Sequence, residues 1–177
     1  MWVSKFSARK RPSAPREKNA LEIMASAQDY FISIGSNVEP QVYIPRALRE
    51  LRSLMGSLDT SPVYETPPEG PSGEKPFWNL AVRVRTSLSR SQAEQLLREI
   101  EDRNGRNRSQ DKFAPRTLDL DLLPRPGYQK QSFVMIPLAD LDPGRIDEET
   151  GQTYQALADG HAAKAKLFKT VTLVGMV

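Results

Sequence analysis

Arg116-Thr117-Leu118-Asp119-Leu120-Asp121-Leu122 is the stretch of this 177-residue chain whose residue types and spacing point most directly to chemistry. Residues two apart in a strand share a face, so Asp119 and Asp121 project together, roughly 6–7 Å apart along the backbone. Leu118, Leu120 and Leu122 then turn toward the core. Two neighbouring carboxylates repel unless a cation lies between them. Hard oxygen donors of this kind suit Mg²⁺, which keeps waters and shares its remaining positions with substrate phosphates. The plain alternative is an amphipathic strand with a solvated acidic face.

The segment just upstream weighs against that alternative. Between residues 103 and 116 stand Arg103, Arg106, Arg108, Lys112 and Arg116, against the single anion Asp111. Guanidinium groups grip phosphate oxygens in a bidentate fork and keep their charge at any working pH. A basic loop feeding a paired-carboxylate strand meets the needs of phosphoryl transfer, where cations clamp the phosphates and metal ions bridge them. Taken alone, the loop is also readable as a solubilising charge run. The sequence has no Walker loop and no Gly-x-Gly-x-x-Gly turn, so an ATP site here uses neither cradle. The only histidine, His161, sits among Ala and Lys and reads as a surface residue.

Positioning these groups requires a frame. Tyr30–Ile34 is short and rich in β-branched and aromatic residues, and it stops at Gly35-Ser36-Asn37: a strand entering a turn. A helix is expected over 45–55, with Pro45 in its first turn, Ala47, Leu48, Leu51, Leu54 and Met55 on its apolar face, and Gly56 at its end. A second strand spans Leu58–Glu65, and the Gly- and Pro-rich stretch 69–76 is loop. From Trp78 to Thr86, Trp78, Leu80, Val82 and Val84 alternate with Asn79, Ala81, Arg83 and Arg85. Ser91 and Glu94 read as the capping box of a second helix with Ala93, Leu96, Leu97 and Ile100 on its apolar face. Leu118–Leu123 is another strand and Phe133–Leu138 a candidate for one more. Beyond Pro143 the signal fades, with Leu167–Val177 a last strand or a tail. The order strand, helix, strand, strand, helix, strand predicts an α+β fold: a ferredoxin-like split βαβ (βαββαβ) sandwich.

Composition sets the outer limits. Hydrophobic residues at 38% and charged residues at 27% suit one core and do not mark a disordered chain. No apolar run approaches the roughly 20 residues of a spanning helix, so no membrane association is expected. The absence of cysteine excludes disulfides, zinc thiolates and cysteine nucleophiles, and fits a reducing, cytoplasmic setting. The net charge of +3 is unevenly spread: residues 1–28 carry +4, which leaves −1 for 29–177. A nucleic-acid partner therefore loses its main support. Residues 1–28, with Pro12 and Pro15 and no apolar period, read as a basic disordered extension, with an organellar presequence as the alternative. Met24 would be a natural start for the domain at 29–177, whose ordered core is expected over about 29–145.

Four blocks of this sequence resemble the 6-hydroxymethyl-7,8-dihydropterin pyrophosphokinase family, enzymes of folate synthesis. They are YFISIGSN (30–37), SPVYETPPEGP (61–71), FWNLAV (77–82) and GRNRSQDKFAPRTLDLDLL (105–123). The resemblance implies an active pyrophosphokinase that uses ATP as co-substrate and acts as a monomer on a dihydropterin. It also implies that Asp119 and Asp121 hold two Mg²⁺ ions, and that Arg106, Arg108 and Arg116 contact phosphates. Phe77 and Phe133 would sandwich the pterin ring, while Asn79 and the Thr66 backbone, with Pro67 beside them, would read its polar edge. Phe113 stands where the family usually has a tryptophan. The stretch from Asp121 to Phe133 is much shorter than in the family. A histidine-and-tyrosine segment is missing, and Gln131 replaces an arginine. Tyr128 and Lys130 are the nearby candidates to compensate, and that edge of the domain is expected to be irregular. A catalytically weakened homologue that binds pterin or nucleotide is the alternative, with a metal-dependent phosphohydrolase behind it.

Overall fold

The computed structural model describes residues 27–67, 75–107, 114–162 and 169–171. The expected extension at 1–28 and loop at 69–76 fall almost wholly outside these. In chain order the elements are β1 (Gln28–Ser36), α1 (Pro40–Met55), β2 (Leu58–Thr60), β3 (Val63–Thr66), β4 (Phe77–Thr86) and α2 (Arg90–Arg103). Then come β5 (Asp119–Leu123), a 3-10 turn at Tyr128–Lys130, α3 (Ser132–Leu141), α4 (Tyr154–Ala162) and β6 (Lys169–Val171).

Alternation in β1 sorts its side chains: Tyr30, Ile32 and Ile34 to one face, Phe31, Ser33 and Gly35 to the other. β4 pairs along one side of β1, placing Ile32 opposite Val82 and Gly35 opposite Asn79. β5 pairs along the other side, with Gly35 opposite Asp119 and Ser33 opposite Asp121. The described sheet runs β5-β1-β4-β3-β6, with β2 also on β4, and every pairing is antiparallel. This is an open α+β sheet. The strand expected at 58–65 is one path broken at Ser61-Pro62, because proline has no N–H for the ladder. Ser61 closes the gap, exchanging hydrogen bonds with both backbone groups of Ala81 (2.9 and 3.0 Å).

One core lies between the sheet and α1 with α2. Ile32 and Ile34 meet Leu80, Val82, Leu118, Leu120 and Leu122 there, under Ile44, Leu51, Leu97 and Ile100. Each such side chain taken out of water stabilises the fold by roughly 1.5–3 kcal/mol. α1 begins at Pro40, five residues before the expected start, so Pro45 stands inside it and removes one helical bond. Ile44 joins the buried face, whereas Leu54 is 48% exposed. The capping box of α2 also lies earlier: Ser89 Oγ accepts from the Gln92 N–H, and Gln92 Oε1 accepts from the Ser89 N–H at 2.9 Å. Ser89-x-x-Gln92 and Ser91-x-x-Glu94 share one pattern, and the structure uses the first.

A second core covers part of the opposite face. The strand expected at Phe133–Leu138 is instead helix α3, and α4 was not foreseen. Phe-Val-Met-Ile-Pro-Leu is a continuous apolar run whose period does not separate strand from buried helix. Its Val134, Met135 and Leu138 pack with Phe31, Ala81, Leu123, Tyr128, Tyr154 and Ala158. The hydroxyl of buried Tyr128 donates to Asp147, which also accepts from the backbone N–H and hydroxyl of Thr150 (2.8 and 2.7 Å). His161 is half-buried rather than a surface residue, and its Nε2 lies 2.8 Å from the Gln129 carbonyl. β6 realises part of the expected 167–177 strand. Among the described residues no helix is long and apolar enough to cross a membrane.

Candidate active site

α3 and α4 cover only part of the second face. Over the end of β1 the described residues leave a pocket, and there the strands carry small residues. Ser33 and Gly35 form a floor between Asp119 and Asp121 on β5 and Phe77 and Asn79 on β4. Thr66, Pro67, Gln131 and Phe133 complete the walls of a pocket of about 310 Å³. The Asn79 side-chain amide donates to Thr66 Oγ1 at 2.8 Å, so both stand ready-oriented at the pocket wall. Phe77 and Phe133 are half-buried and line the same space; Phe133 also leans on the second core.

The Ser36-Asn37 turn explains how the run-up to β5 is fixed. Ser36 Oγ donates to the Thr117 carbonyl at 2.6 Å, and Asn37 Oδ1 accepts from the Arg116 N–H at 2.6 Å. The N–H groups of Asn37 and Val38 return to the Arg116 carbonyl at 3.0 and 3.1 Å. β5 is a strand, as expected, and the shortened stretch after it carries the 3-10 turn Tyr128–Lys130 in place of sheet. Charged side chains of α2 and the turn after α2 bind the outer backbone groups of β5: Glu101 accepts from the Leu120 N–H at 2.8 Å, Arg106 donates to the Leu118 carbonyl at 3.1 Å, and Arg90 donates to the Leu122 carbonyl at 3.2 Å.

Both aspartates face the pocket, as the alternation required, and Leu118, Leu120 and Leu122 are buried behind them. Asp119 pairs with Arg116 through Oδ2 and with Arg106 through Oδ1 at 3.0 Å. Asp121 Oδ2 lies 2.9 Å from Arg125 Nε. Burial, and then the neighbouring Asp119 charge, push the Asp121 carboxyl above its ordinary value; Arg125 and Arg116 oppose this without cancelling it. A second pocket of about 430 Å³ lies along the outer edge of β5. Arg90, Arg98, Glu101 and Arg106 line it from α2 and its end, and it shares Asp119, Asp121 and Arg125 with the first.

The structure therefore brings together Thr66, Pro67, Phe77, Asn79, Arg106, Arg116, Asp119, Asp121 and Phe133. Arg108 and Phe113 lie outside the described residues. Tyr128 and Lys130 line neither of the two pockets: Tyr128 is core, tied to Asp147, and Lys130 is exposed. The sequence reading overlooked Arg125, for which the only sequence signal is a lone cation just past the strand that carries the aspartates.

A floor of small residues and aromatic walls thus adjoin two carboxylates that are paired with guanidiniums. Residues 31–143 match the model of the family described as 7,8-dihydro-6-hydroxymethylpterin-pyrophosphokinase (HPPK). Three relatives bear the name 2-amino-4-hydroxy-6-hydroxymethyldihydropteridine pyrophosphokinase. The protein from Bacillus subtilis is 32% identical over 128 residues, 63% of this chain and 76% of its own. That from Helicobacter pylori is 36% identical over 126 residues (61% and 77%), and that from Pseudomonas aeruginosa 35% over 133 (66% and 82%). This chain belongs to the HPPK family.

Proposed function

We propose that this chain transfers the pyrophosphoryl group of Mg-ATP to the hydroxymethyl oxygen of 6-hydroxymethyl-7,8-dihydropterin, a step of folate synthesis. The acceptor hydroxyl attacks the β-phosphorus, the bond to the α–β bridging oxygen breaks, and AMP leaves with the pterin diphosphate as co-product. The carrying observation is that Asp119 and Asp121 stand where an aromatic-walled pocket meets a charged one. The first pocket suits the pterin: ring faces from Phe77 and Phe133, and fixed polar groups from Asn79 and Thr66 for its edge. The second suits the nucleotide, with Arg106 beside the phosphates and Arg116 at the junction. Arg108 and Phe113 keep the phosphate and stacking roles the resemblance implies.

The donor set fits magnesium. Asp119 and Asp121 offer hard oxygens from one strand face, and the described residues contain no larger cluster of metal-binding side chains. That matches an ion completed by water and substrate phosphates. Bound there, Mg²⁺, with two ions expected, would neutralise charge developing on the phosphates. Arg106 and Arg116 hold the phosphate chain by charge-assisted hydrogen bonds, and the pocket walls bring the acceptor hydroxyl in line. The strand order, with α1 and α2 on one face, supports a ferredoxin-like split βαβ frame.

The test is AMP release with the dihydropterin substrate. The wild type is expected to yield AMP and pterin diphosphate in equal amounts, and Asp119→Ala to lower the rate at least about a hundredfold. No AMP above the Asp119→Ala background would overturn the proposal. One observation favours a second reading, a weakened homologue that binds its ligands without turnover. The short connection after β5 places a single cation, Arg125, among the described pocket residues. Tight binding by calorimetry with no AMP formed is the mark of that reading.

A further inference from the structure

Arg125 reaches the active site from a different direction than the arginine-rich run. It stands two residues past the end of β5, and it lines both pockets where they meet. Its Nε lies 2.9 Å from Asp121 Oδ2, and its Nη2 donates to Gln131 Oε1 at 2.6 Å. A guanidinium carries five N–H donors, more than these two partners take up. Gln131 is neutral, so it orients Arg125 without quenching its charge. Asp121 is an exchangeable partner, because the same carboxylate also faces Asp119 and the pocket.

We propose that Arg125 is a nucleotide-binding residue that grips a phosphate oxygen of ATP at the junction, with Gln131 as its positioning residue. The proposal rests on the function given above and names a binding group within it. Of the two substrates only the triphosphate is anionic, and a planar fork matches phosphate oxygens. The charged pocket, where Arg90, Arg98 and Arg106 also stand, is the side from which an anion would approach. The aromatic pocket already has neutral polar groups for a neutral ring in Thr66 and Asn79.

The test is calorimetric titration of the full chain with Mg²⁺ and α,β-methylene-ATP, whose α–β bond cannot be cleaved, and separately with the dihydropterin. Arg125→Ala is expected to weaken nucleotide binding roughly ten- to a hundredfold, the loss of one or two charge-assisted hydrogen bonds, and to leave pterin binding within about twofold. Arg125→Lys should recover part of the loss, as a charge without the fork. Gln131→Ala should lose less than Arg125→Ala and add nothing to it in the double variant. Thermal unfolding checks that each variant is folded; if Arg125→Ala is not, Arg125→Lys and Gln131→Ala carry the comparison. Unchanged nucleotide affinity, or an equal loss of pterin affinity, would overturn the role of Arg125 while AMP release by the wild type leaves the proposed function standing. Nucleotide binding that depends on Arg125 in a protein releasing no AMP would support the role and remove the activity. A wild type that binds no nucleotide overturns both.

Discussion

Gly35 has no side chain where the pocket floor is tightest. A Cβ there would lie 3.1 Å from Asn79 Oδ1 and 3.9 Å from both the Asp119 Cβ and the Phe77 ring. Asn79 is tied to Thr66 and yields only by giving up that bond. Gly35→Ala is therefore expected to weaken pterin binding roughly tenfold, measured by calorimetry, with nucleotide affinity unchanged. Asp121 shows a different tension. Its carboxyl is held above the ordinary value, so a proton binds it more readily in the folded chain than in the unfolded one. Its stabilising contribution is present below the unfolded carboxyl's pKa and lost as pH rises through the folded value. Asp121→Asn is accordingly expected to unfold at a higher temperature than the wild type at pH 7, as calorimetric scans would show. The advantage should shrink as the pH falls from the raised folded value toward the ordinary carboxyl range. The same variant should lose AMP release by about a hundredfold or more.

At the scale of elements, β5 is the edge strand of the described sheet, yet α2 and the turn after it occupy its outer backbone groups. Glu101 takes the Leu120 N–H, the rung between the two aspartates, and is itself 6% exposed. Glu101→Ala should leave that buried N–H without its acceptor and cost about 1–3 kcal/mol in urea unfolding, with a fall in kcat as the aspartates lose their fixed spacing. Glu101→Gln keeps an acceptor oxygen and should retain most of the stability. Alternation made β5 legible in the sequence, because each Leu has core behind it and each Asp has the pocket before it. The same logic could not resolve residues 133–138: an unbroken apolar run fits a strand or a buried helix alike. Only the uncovered surface of Phe31, Ala81 and Leu123 decides for the helix.

For the molecule as a whole, two faces of one sheet perform two tasks. The helix-covered face was readable from the periodicities of Ala47, Leu48, Leu51 and Met55 and of Ala93, Leu97 and Ile100, although Leu54 proved marginal. The other face was half hidden. Its aspartates and aromatics were legible through their motifs. Arg125 was not, because its role comes from a turn that brings residue 125 back onto residue 121 and across to 131. Nor was α4, whose anchor is Tyr154 set edge-on against Phe31. The walls of the aromatic pocket come from segments near residues 33–35, 66–67, 77–79, 114–121 and 131–133, far apart along the chain. No local stretch holds even a rudimentary version of the site, and such distant contacts close late in folding. Ligand affinity is thus a property of the finished register: a chain with native helices but a slipped strand would have the look of the protein and none of its grip.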